Sequence, residues 1–189
     1  MKEKLSEQNV ELLKKHLHAL VQVEFFTIPF YLTAVYSFTN KALNYTSKRG
    51  KTPLSNMQNR ALSVAVEEMY HLQLASNLNN AFNVVPEVPK LKLVAGETIT
   101  VPHLEDQSKP LTTKLGNLAE VIAAMLEVEK PDPKKKFPPP NEAVVYPAIS
   151  DLYHATLDLL SRYFKAFELT PAALDPHFTP NHNQISYGA

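Results

Sequence analysis

The 189 residues carry 19 Lys and Arg against 19 Asp and Glu, a formal charge of zero that offers no global field to recruit nucleic acid or anionic lipid. Cysteine is absent, which excludes disulfides, thiolate metal sites, iron–sulfur clusters and a cysteine nucleophile, so any metal must be held by His and carboxylate. The length suits one domain, read as 1–170 with a tail at 171–189, and is enough to bury a core.

The first fifteen residues are charged throughout and show no apolar stretch followed by a cleavage site, so the expected compartment is the cytoplasm. The most apolar run, 25–38, is shorter than the ~20 residues a bilayer span needs and begins beside Glu24, which argues against a membrane helix. Residues 6–38 read as a first helix with Leu13, Leu17, Leu20, Val21, Ile28, Tyr31, Leu32 and Val35 on its apolar face. Glu24 falls inside that stripe. Pro29 lies one turn further on, where its ring predicts a kink or an opened turn.

A polar connection at 40–53 turns the chain into a second helix, 54–82, expected antiparallel to the first. Glu24 precedes Asn40 by 16 residues and Glu68 follows Pro53 by 15, so the two acids should meet at about one height. The long segment 83–111 reads as a crossover, with a short hairpin around Ala95-Gly96-Glu97. Thr112 or Thr113 should cap a third helix running to Glu129, with Leu115, Leu118, Ile122, Met125 and Leu126 on one face. A proline-rich connection then leads to a fourth helix at 142–167, whose stripe includes Leu152, Thr156 and Leu159.

The chemistry concentrates in residues 64–78. Glu68 and His71 are three apart, so on a helix they share a face, and that face is the apolar one. A carboxylate in a core is costly unless it is paired or binds a metal, and imidazole beside carboxylate suits iron, manganese or zinc. The alternative is a core His bonded internally to a neighbouring acid. Glu24 is the in-phase acid of the first helix; its alternative is a pair with a basic residue. Glu129 closes the third helix, and Asp151 with His154 repeats the acid-x-x-His spacing on the fourth, though their phase drifts off the stripe and a surface position is equally consistent. Tyr31, Tyr36, Tyr70 and Tyr153 are either donors behind such a site or plain core. His16 and His18 read as exposed; His103, His177 and His182 fall in loops.

An acid on one helix and an acid-x-x-His on the next, then the same again, resembles the di-iron carboxylate bundles of the ferritin-like superfamily. More narrowly, V-E-F-F-T-I-P-F-Y-L-T-A-V-Y-S at 23–37 and E-E-M-Y-H-L-Q-L-A-S-N-L-N-N-A at 67–81 resemble the ferritin-like domain of iminophenyl-pyruvate dimer synthases. The resemblance implies an all-α four-helix bundle with a crossover between the second and third helices. It implies metal ligands at Glu24, Glu68, His71 and Glu129; Asp151 stands where Glu is expected. The implied cofactor is iron, as one ion or two, with manganese or zinc as substitutes. The implied partners are a small-molecule substrate, amino-acid-derived, with O2 or peroxide, and the chain should form a small homo-oligomer such as a dimer, bound to neither nucleic acid nor membrane. Two other classes fit the same residues: a ferroxidase or metal-storage protein, and a metal-free helical scaffold.

Overall fold

A computed structural model describes residues 7–37, 53–87, 98–99, 101–105, 111–112, 123, 126 and 136–168. The first helix, α1 (Glu7–Ser37), starts with Glu7 in its opening turn, where a carboxylate favours the exposed N–H groups. It runs unbroken through Pro29, and the Thr33 hydroxyl donates to the Pro29 carbonyl at 2.7 Å. Its burial is wider than one stripe: Ala19, Leu20, Val21, Val23, Glu24, Phe26 and Thr27 are all inside. A helix apolar on most sides belongs in the centre of a fold. That position accounts for α1 being long and apolar enough to cross a membrane by composition alone, since most of its apolar window is covered by the rest of the protein.

The second helix, α2 (Pro53–Ala81), buries Ala61, Ala65, Glu68, Ala75 and Asn79, a seam of mostly small residues that lets its backbone approach α1 closely. Asn79, fully buried, ties the seam by donating its amide to the Leu17 carbonyl at 2.7 Å and to the Ala75 carbonyl at 2.9 Å. At the other end of the seam Gln58 donates to the Val35 carbonyl, so α2 is antiparallel to α1 as the spacing predicts.

Strand β1 (Thr98–Ile99) pairs antiparallel with β2 (Leu111–Thr112), Thr98 opposite Thr112 and Ile99 opposite Leu111. The turn expected around Ala95-Gly96-Glu97 lies outside the described residues, as does Thr113; Thr98 and Ile99 pair with a later strand, and Thr112 is in that strand rather than capping a helix. Of the expected third helix, Ala123 and Leu126 are helical and exposed; Glu129 lies outside the described residues, as do His177 and His182. Residues 101–105 lie against the upper half of α1, with Val101 and Leu104 packed on Phe26, Phe30 and Tyr31.

The last helix, α3 (Ile149–Phe167), begins seven residues later than 142. Pro147 explains the late start, because a proline drives the residue before it out of helical geometry. The stretch before it is a tight turn in which Val144 adopts φ 50°, a costly conformation for a β-branched residue. Leu104 and Tyr146 form a bridge beside this turn. α3 runs the same way as α2, with Tyr153 beside Glu24 and Leu159 and Leu160 in the cluster of Leu12, Leu13 and Leu17.

Candidate metal centre

Glu24 enters the core from α1 because Val21, Val23 and Phe26 around it are needed there, leaving its carboxylate 3% exposed. Glu68 enters from α2 between Ala65 and Ala75 and is 7% exposed. One turn on, His71 turns its Nδ1 toward both acids, 3.6 Å from Glu24 Oε2 and 3.6 Å from Glu68 Oε2. One ligand atom from each of the three lies within 4.8 Å of the others. The two 3.6 Å separations are those of donor atoms that can share one cation roughly 2.1 Å from each. Two buried carboxylates facing one imidazole form a donor set with negative charge in excess, so the residues fit a divalent metal.

Two hydroxyls hold the acids, Thr27 on the Glu68 oxygen that faces His71 and Tyr153 on the far oxygen of Glu24. The Thr27 hydroxyl is 2.8 Å from Glu68 Oε2 and 2.8 Å from the Glu24 carbonyl, and the Tyr153 phenol donates to Glu24 Oε1. Burial first, and then the Glu24 and Glu68 carboxylates, push that phenol well above its ordinary 10, so it stays a proton donor. His71 is about half exposed, with a side-chain accessibility of 48%, so the centre is sealed on the α1 side and open beside the imidazole.

Helix α3 does not deliver its acid-x-x-His pair as a unit. Asp151 is buried, and neither of its carboxylate oxygens has a hydrogen-bond partner among the described residues. His154 is exposed and stacks on Phe137 with ring centroids 3.4 Å apart. Three residues advance a helix by about 300°, so the pair straddles the edge of the buried stripe and only one member falls inside. Neither joins the group made by Glu24, Glu68 and His71.

His16 corrects a second expectation, being fully buried rather than exposed. Its Nδ1 meets the Leu12 carbonyl at 2.8 Å and its Nε2 meets the Tyr146 hydroxyl at 2.6 Å. With Nδ1–H donating, Nε2 accepts from the phenol, whose oxygen accepts the Asn141 N–H at 3.1 Å. His103 makes a neighbouring link, with Nδ1 at 2.8 Å from the Val144 carbonyl and Nε2 at 2.7 Å from Gln22 Oε1. Burial is the largest cause lowering both imidazoles below the ordinary 6.5. Sequence reasoning missed His16 although it shares the phase of Leu13 and Leu20; Lys14, Lys15 and the partly exposed His18 around it suggested a surface.

A family model described as Ferritin-like matches residues 17–187. No curated protein and no solved structure gave a match.

Proposed function

Because the chain belongs to the ferritin-like family, we propose that it is a metal-dependent oxidase or oxygenase whose cation is held by Glu24, Glu68 and His71. The observation that carries this reading is the convergence of two buried carboxylates and one imidazole, from two helices, around a common point. Iron is the preferred ion, and held by Glu24, Glu68 and His71 it would supply one-electron chemistry toward O2 or peroxide. Glu24 and Glu68 neutralise the ion, and Thr27 and Tyr153 orient the acids. The core side of the centre excludes water while the His71 side admits a small substrate.

The finer resemblance to iminophenyl-pyruvate dimer synthases favours a small amino-acid-derived substrate, and we propose a small homo-oligomer in the cytoplasm, the compartment suggested by the charged first fifteen residues. We also propose that the bundle has a fourth helix, formed by the segment ending near Glu129. Its support is the outer face of α2, where Leu62, Val66, Met69, Tyr70 and Leu74 remain 42–56% exposed. In this arrangement Asp151 and Glu129 are the acids available to a second ion, whereas His154 is not.

Elemental analysis of protein purified without added metal tests the core of the proposal. Metal should be present in the wild type and fall several-fold in Glu68→Ala and His71→Ala; equal metal content in all three would discard the site. Size-exclusion chromatography should show a small oligomer. A large shell that accumulates iron would transfer the reading to a storage protein.

A further inference from the structure

The two oxygens of Glu24 face different groups. Oε2 is the one turned toward His71 Nδ1, as is Oε2 of Glu68. Oε1 points to the third helix of the core and accepts the Tyr153 hydroxyl. Tyr153 itself is anchored independently of this contact, its ring packing on the cluster that includes Val23, Ala75 and Leu152. The phenol is thus delivered to Oε1 by α3, while the rest of the centre comes from α1 and α2.

We infer that Tyr153 is a positioning residue of the metal centre: by holding Glu24 Oε1 it leaves Oε2 as the single oxygen this carboxylate presents to the cation. The inference rests on the metal-binding reading above. A carboxylate that binds through one oxygen occupies one coordination position, whereas one that swings to bind through both occupies two. Rotation of Glu24 about its last side-chain torsion, needed for both oxygens to bind, would break the Tyr153 bond to Oε1. Tyr153 therefore keeps a position open for a small molecule. Groups behind metal ligands set ligand orientation in this way and are typically worth about 10–100-fold in metal affinity.

The probe is Co(II), added to the full chain freed of metal by a chelator. Three quantities are read: the dissociation constant by chelator competition, the intensity of the visible d–d bands, and the splitting between the antisymmetric and symmetric carboxylate stretches in the infrared. Tyr153→Phe removes one oxygen and keeps the packed ring. It should weaken Co(II) binding by about 10-fold, dim the d–d bands as the coordination number rises, and narrow the carboxylate splitting. Tyr163→Phe, on the same helix but packed on Phe82 and Phe167, should change none of the three. Wild-type spectra and affinity in Tyr153→Phe would overturn the inference. So would a narrow, two-oxygen splitting in the wild type, a measurement that does not depend on the variant folding. A phenolate-to-iron charge-transfer band in Fe(III)-loaded wild type that vanishes in Tyr153→Phe would make Tyr153 a ligand and overturn it too. A wild type that binds no Co(II) would instead remove the metal centre itself.

Discussion

Two buried polar systems sit on α1, eight residues apart, and they are built on opposite rules. Around His16 each donor is matched: Asn141 N–H to Tyr146 oxygen, Tyr146 hydroxyl to His16 Nε2, His16 Nδ1–H to the Leu12 carbonyl. Around Glu24, among the described residues, two buried carboxylates face one imidazole and two hydroxyls. A matched network serves stability, because nothing in it wants a further partner. Two buried carboxylates brought close together repel each other, and a cation between them would relieve that. The difference separates a self-satisfied part of the core from the part that could hold a cation.

The largest effect expected from this contrast is in stability. His16→Ala removes a buried ring and leaves the Tyr146 hydroxyl without its acceptor, which should cost about 3 kcal/mol in a urea titration. Metal bound per folded chain should not change. Glu68→Gln should do the reverse, stabilising the metal-free protein by about 1–2 kcal/mol through relief of like-charge repulsion while losing metal. If both variants moved stability the same way, the two systems would not differ as described.

A smaller effect separates the systems by pH. His16 and His103 have pKa values lowered below the ordinary 6.5, chiefly by burial, so between the folded and unfolded values the unfolded chain binds more protons. Their contribution is therefore complete above pH 6.5 and is lost as pH falls from there toward the folded values. The urea midpoint of metal-free protein should decline on acidification in that range, and His16→Gln should flatten the decline. The smallest effect comes from α3, which serves both systems through Tyr153 and the turn before it. Ala148 holds the extended N-cap geometry but offers no side-chain bond to the helix. Ala148→Ser should add about 0.5–1 kcal/mol and leave metal affinity within error, since it touches neither network.

What could be read from the chain follows the same division. Glu24, Glu68 and His71 were legible because an acid in phase with Val21 and Tyr31, or with Ala65 and Ala75, has no reason to be inside except to meet something. Helices α1 and α2 and their antiparallel packing followed from the same periodicity. Asp151 and His154 were not separable by spacing, since a three-residue step spans the boundary between buried and exposed on α3. The start of α3 was misplaced because apolar character continues through Val144 and Tyr146, and only Pro147 marks the break. The hydrogen bonds of His16 with Tyr146 join residues 130 apart, and no local pattern carries that information.

The imidazole of His71 is the doorway of the centre, with nearly half its side-chain surface in water. A cation behind such a threshold would exchange with the bulk solution at a rate set by whatever packs beside that imidazole. The same openness leaves the protein little means of refusing an unwanted ion. Within the order of affinities that carboxylate and imidazole impose on divalent metals, the supply of ions around the protein would then decide which one sits there.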